Sequence, residues 1–554
     1  MDSLTVGIII AAFFLCGIIY MVLSARSANK RRREEIADRF GKIPDEDLDL
    51  KSIAVPWKSC ADYRSMQIID DTTWSDLDMD AVFERLDSCQ TSLGEEYLYI
   101  LLRRFTSEEE KERGENLMEW FAGNPDSRLK LQMLLGAVGK RSDNGLMEWI
   151  SGSDDHTLPH PWAFQVMGWL PVVFLAVIPF NYVVAVILIL SSFCVNIMTS
   201  FLVSRRIQEE LPAVRYLSSV FWCCREICAL KQKGIQEMQD EMSGALSKLR
   251  GLRSSVSGVG RKTFFANDVE TMQEFGRMVF LHEIRSYNKS VRLVSLHRKS
   301  CETLCRDMAE LDVAISTLSF RQSLPYYSKP HFIQNMQINV QAIYHPLLRN
   351  AVPNSITMTK ATLITGSNAS GKSTFIKAVA VNGILAMALN TCTARVYQAP
   401  RALVISSMAV RDNLTSGDSY FVSEIKSLKR VLDHVEKAPC LCFVDEILKG
   451  TNTAERIAAS AAILQYLYQK DCLCLVATHD IELTEILNKK FENYHFSEQV
   501  TDNQITFDYL VKPGPSTTTN AIRLLSYMRF DRGIIDCAEK MVQSLQREDA
   551  PTIA

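Results

Sequence analysis

At 554 residues the chain exceeds what one hydrophobic core supports, so it should divide into several domains. Its 61 basic and 64 acidic side chains leave a net charge of -3, which excludes a globally basic nucleic-acid binder and leaves any such role to a local patch. The 15 cysteines include no CxxC pair; runs such as Cys440-Leu441-Cys442 and Cys472-Leu473-Cys474 read as small buried hydrophobes in a reducing compartment, without a zinc site or a disulfide framework.

In chain order, Thr5 to Ser24 is uncharged, about one bilayer long, and followed at once by Arg26 and Lys30 to Arg33. It reads as a membrane anchor; a cleaved signal peptide would carry its cations on the other side. Residues 34 to 160 are polar and rich in helix formers, with apolar positions at helical spacing around Ala81 to Leu86 and Tyr97 to Leu102. Two further apolar runs, Trp162 to Pro179 and Tyr182 to Val203, are separated by Phe180 and Asn181 and closed by Arg205-Arg206. They read as a transmembrane hairpin, since a buried helical pair rarely runs so long without a charge. The flanking cations place both soluble segments on the cytoplasmic side of a cell membrane, and the Phe180-Asn181 turn outside. Residues 205 to 325 are again helical, up to the breaker Pro325.

From Asn339 onward short β-rich runs alternate with helices: Ala361 to Thr365, a helix from Ser373, Cys440 to Val444 and Cys472 to Thr478. That alternation predicts a mostly parallel sheet flanked by helices. The first of these strands runs into Gly366-Ser367-Asn368-Ala369-Ser370-Gly371-Lys372-Ser373-Thr374, which satisfies GxxxxGK[ST] in a strand-loop-helix setting. Its glycines let backbone N–H groups close round phosphate at a helix N-terminus. Lys372 is then placed for the β- and γ-phosphates of ATP, and Ser373 for Mg2+. The apolar strand from Cys440 ends in Asp445-Glu446, an acidic pair costly to bury without a cation. Asp445 is a candidate Mg2+ ligand and Glu446 a candidate base for the attacking water. A third strand ends in His479, a further catalytic candidate at the same sheet edge.

These residues resemble the ATPase domain of the MutS family, the mismatch-repair branch of the ABC-type ATPases. Thr365 to Thr374 resembles TGPNxGGKST, Asp445 to Thr453 resembles DEIGRGTST, and Ala477-Thr478-His479 with Glu482-Leu483 resembles ATHxxEL. Ser416 to Glu424 resembles SGxSTFxxE, which implies that Ser416, Gly417 and Ser419 reach nucleotide held by the other subunit of a homodimer. Ser370 and Tyr420 depart from the more usual family residues, and no stretch resembles the family's Phe-x-Glu mismatch wedge. Tyr344-His345-Pro346 resembles the opening of the domain, and Glu310 to Val313 and Thr91 to Gly94 resemble parts of the helical lever.

The resemblance implies an α/β P-loop ATPase domain preceded by a mostly helical MutS-like core or lever; the three apolar runs add three predicted transmembrane helices to it. The expected divisions are an anchor (1–30), the lever's first part (31–160), the hairpin (161–204), the lever's second part (205–338), and the ATPase domain with a dimerisation tail (339–554). ATP and Mg2+ are the implied cofactors, and DNA is a partner implied by resemblance alone. The segment from Met242 to Asn267, with five cations, no acid and Phe264-Phe265, is a candidate contact for phosphate, although a solvated helix face or a patch against anionic lipid gives the same pattern. The alternative reading is a mechanochemical or signalling ATPase acting on a protein or lipid. An ABC transporter fits less well, since three spans are few and the trans loop lacks LSGGQ.

Overall fold

A computed structural model describes residues 26–45, 48–56, 69–141, 145–152, 156–249, 278–367, 370–408, 420–448, 451–501, 504–516 and 527–548, with isolated positions at 20, 23, 24, 251, 276, 522 and 525. Most of the first apolar run and of the basic segment, P-loop residues Asn368 and Ala369, and the trans-loop residues Ser416, Gly417 and Ser419 lie outside the described residues.

The chain folds as two compact units, one of Met1–Ser65, Leu86–Ile100 and Glu108–Ser323, the other of Met66–Arg85, Leu101–Ser107 and Leu324–Ala554. Two short stretches of the first helical segment thus join the C-terminal part of the chain, and that unit resumes at Leu324, ahead of the boundary expected at 339. Periodicity marks where helices lie but carries no signal of which partner a helix face will find.

The helical unit is built on Arg298–Ser323, a 26-residue helix buried along most of its length. Leu211–Ala229, Glu108–Gly123 and Pro125–Val138 pack around it through Val214, Leu217, Phe121 and Leu135. At its centre Asp312 accepts hydrogen bonds from Gln90 N (3.0 Å), Thr91 N (2.9 Å) and Thr91 Oγ1 (2.6 Å). A carboxylate here satisfies donors that the start of the helix Ser92–Arg103 would otherwise leave unpaired.

The predicted hairpin is two apolar helices, Pro161–Phe174 and Tyr182–Ile207, joined through a 3-10 turn at Leu175–Val177. Asn181 opens the second, its side chain accepting from Val183 N and Val184 N. Two helices among the described residues are long and apolar enough to cross a bilayer, and burial separates them. Tyr182–Ile207 is only 17% buried in its apolar window, whereas Lys372–Leu389 is 83% buried and forms the core of the other unit. At about 1.5 Å per residue, the 26 residues of Tyr182–Ile207 exceed a hydrocarbon layer of about 30 Å. Within this helix Asn196 is buried, and its amide donates to Met167 O (2.9 Å) and Val279 O (2.8 Å).

Among its described residues the second unit holds twelve strands: β1 (His331–Ile333), β2 (Ile338–Ile343), β3 (Asn354–Met358), β4 (Thr362–Thr365), β5 (Val396–Pro400), β6 (Leu403–Ser407), β7 (Cys440–Asp445), β8 (Cys472–Ala477), β9 (Glu492–His495), β10 (Glu498–Thr501), β11 (Gln504–Phe507) and β12 (Lys512–Pro513). Six form one sheet in the order β12-β9-β4-β8-β7-β6, parallel except for β12. Strands β4, β6 and β7 are buried at every position, as continuous apolar runs in a doubly covered parallel sheet require. A smaller sheet, β1-β5-β2-β3, stands beside it in sequence, and β10-β11 is a hairpin. The mostly parallel sheet matches expectation; the β1-β5-β2-β3 sheet was not anticipated.

Candidate functional site

Register brings three strand ends to one level. Ile364 of β4 and Asp445 of β7 both pair with Ala477 of β8, the strand between them. The loop after β4, the acidic pair after β7 and His479 after β8 therefore leave the same C-terminal edge, where open α/β sheets bind ligands.

The loop after β4 is held tightly. Gly366 has φ 130°, and a Cβ there would lie 2.5 Å from Phe496 O, so a side chain is excluded on both counts. Gly371, at φ 104°, ends the loop, and Lys372–Leu389 begins with no side-chain cap. Its first N–H groups are thus left for an anion. Ser370 donates to Ser367 O at 2.6 Å, and Ser367 to Glu498 Oε2 at 2.8 Å. Lys372 is fully buried, its ammonium folded back onto Gly366 O. Ser373 is half-buried and Thr374 exposed.

The two members of the acidic pair sit in different surroundings. Asp445 is 8% exposed, and its Oδ1 is buried without a hydrogen-bond partner. An orphaned carboxylate oxygen fits a hard divalent cation, so Asp445 and Ser373 are the residues that would hold Mg2+. Glu446 sits in left-handed backbone at φ 61°, its N–H on Ala477 O at 3.0 Å. A non-glycine residue there costs on the order of 1 kcal/mol or more, a strain found where side-chain aim matters. That aim brings Glu446 Oε1 to 3.0 Å from His479 Nε2. Beyond the histidine, Arg456 grips Asp480 through two bonds of 2.6 and 3.0 Å.

Sequence reading missed a second group of residues. Asp76 accepts from Ser406 Oγ (2.8 Å) and Met408 N (3.0 Å) at the end of β6. Arg430, on the helix Tyr420–Val435, binds Asp70, Ser406 O and Thr73 Oγ1. Burial works against the Asp70 carboxylate, but Arg430 and Thr73 outweigh it and hold its pKa below the usual value. The short helix Asp71–Asp76 thereby pins both flanks of residues 409–419, the stretch that contains Ser416, Gly417 and Ser419. The partners lie more than 300 residues apart, so no local pattern announces them.

Burial lowers the His345 pKa from 6.5 to about 4, and Lys377 adds to the shift while Asp78 opposes it. Because the folded value lies below the unfolded one, stability is complete above about 6.5 and is lost as pH falls toward 4, by about 3 kcal/mol. His345→Gln should flatten this part of the pH dependence of denaturant unfolding; equal slopes in both proteins would show that His345 does not carry it.

Residues 362–546 match the family model for MutS domain V. The chain is 27% identical over 293 residues to the DNA mismatch repair protein MutS of Thermus thermophilus, a match covering 51% of this chain and 35% of that protein. It is 28% identical over 284 residues to the protein of that name from Lactobacillus delbrueckii subsp. bulgaricus, covering 49% and 33%. A 26% match to the Streptococcus pneumoniae protein covers 45% and 31%. The chain thus spans about a third of the length of these curated relatives.

Proposed function

Because the chain belongs to the MutS family, we propose that it is a membrane-anchored ATPase that binds and hydrolyses ATP as a homodimer and contacts DNA. The observation that carries the ATPase reading is the Glu446–His479 pair, 3.0 Å apart at the same sheet edge as the glycine loop. ATP enters with its phosphates over the loop, and Lys372 leaves Gly366 O for the β- and γ-phosphates. Ser373 and Asp445 would hold Mg2+, whose charge would offset that developing on the phosphate oxygens. Glu446 takes the proton of the attacking water, and His479 fixes the carboxylate that does so. The membrane reading rests on the exposed apolar helix Tyr182–Ile207, and Arg205-Arg206 at its end support a cytoplasmic side for the polar segments that flank the hairpin.

Dimerisation follows from the family's trans loop. Ser419→Arg subunits mixed with Lys372→Ala subunits should leave one competent composite site. Activity no higher than that of either variant alone would remove the shared-site reading.

The exposed apolar hairpin equally favours a second reading, a mechanochemical or signalling ATPase acting on a protein or lipid partner. DNA separates the two. The detergent-purified protein should turn over ATP faster with duplex DNA, with a stimulation that falls steeply as salt rises. A rate unchanged by DNA at low salt would favour the second reading.

A further inference from the structure

The cysteines of the two apolar runs meet across the sheet. Strands β7 and β8 are parallel neighbours, with Cys440 opposite Cys472 and Cys442 opposite Cys474. Each contributes Cys-Leu-Cys, and alternation along a strand puts both cysteines on one face and the leucine on the other. Four thiols therefore stand two by two on one face of adjacent strands. The Sγ atoms of Cys442, Cys472 and Cys474 all lie within 4.8 Å of one another. The Cys472–Cys474 separation is 3.7 Å.

Packing alone asks only for small apolar side chains at these positions. A tetrahedral site with metal–sulfur bonds of about 2.3 Å spaces its sulfurs about 3.8 Å apart. One pair already stands at that spacing, and the others need to close by about 1 Å at most. Cys442 and Cys474 are fully buried, which shields a metal from water, while Cys472 is half-buried and offers a way in. Cys440, the fourth thiol of the ladder, donates to Ala438 O at 3.1 Å. We propose that Cys442, Cys472 and Cys474 form a binding site for a soft d10 metal ion, Zn2+ or Cu(I), that cross-links β7 to β8. Binding converts the coordinating thiols to thiolates, whose protons pass to solvent; no electron is transferred. The cross-link would brace the strands that present Glu446 and His479, yet its presence does not depend on ATP being the substrate.

The test uses the full chain in detergent, loaded separately with Zn2+ and with Cu(I) under reducing conditions, desalted, and assayed for retained metal. The expected result is one equivalent per chain of one of the two ions, with a raised melting temperature. Each of Cys442→Ala, Cys472→Ala and Cys474→Ala should weaken binding by about 100-fold or more, since even losing a residue behind a ligand costs about 10- to 100-fold. Cys301→Ala, in the helical unit, should bind as wild type. Should a substituted protein not fold by circular dichroism, Cd2+ titration of the wild type should still give thiolate charge-transfer absorbance and slow alkylation at Cys472. Retention of neither ion by the wild type, or metal kept by the folded Cys474→Ala protein, overturns the site.

Discussion

Glu446→Gln should bind ATP as tightly as the wild type and hydrolyse it about 100- to 10,000-fold more slowly, the usual cost of losing a positioned general base. The amide keeps the size of the carboxylate and its place beside His479 Nε2, so the strained backbone at φ 61° has no reason to relax. Only the capacity to take a proton goes. Binding is read by a fluorescent nucleotide and turnover by phosphate release. Wild-type turnover from the glutamine variant would remove Glu446 from the chemistry, and lost binding would make it a ligand rather than a base.

Lys372→Ala should instead fail at the earlier step. The lysine is the fully buried cation of the glycine loop, and truncating one partner of a desolvated charge pair costs about 2–5 kcal/mol or more. That raises Kd by about 30-fold at least, with turnover falling in parallel at fixed ATP. The ammonium rests on Gly366 O, so the variant also loses one bond within the loop. Circular dichroism and the melting temperature separate that structural cost from the ligand's. Unchanged nucleotide affinity in a folded Lys372→Ala protein would mean that phosphate is held elsewhere.

What the sequence made legible follows from how local each constraint is. Phosphate chemistry needs glycines at fixed spacing before a helix, so Gly366 to Thr374 announces itself, and the strand before it was placed within one residue of β4. The strand before Glu446 was legible as an apolar run from Cys440, and β7 spans Cys440–Asp445, so the acidic pair does stand at the end of a buried strand. The hairpin helices were legible from length and apolarity, although the first ends at Phe174 and continues as a 3-10 turn. Non-local pairing was not legible. Nothing near Asp76 or Arg430 shows that they fasten the two flanks of residues 409–419, and nothing in Cys440 to Cys442 shows that it will lie against Cys472 to Cys474 in register. The thiols read as isolated hydrophobes because a period-2 strand pattern does not name its neighbouring strand.

The central claim is that the edge formed by β4, β8 and β7 hydrolyses ATP, and steady-state phosphate release by the detergent-purified wild-type chain tests it most directly. With Lys372→Ala protein purified in parallel as the background, the account predicts turnover that requires Mg2+, saturates with ATP and clearly exceeds that background. Phosphate release equal to the Lys372→Ala background, from folded wild-type protein with ATP and Mg2+ present, would contradict it.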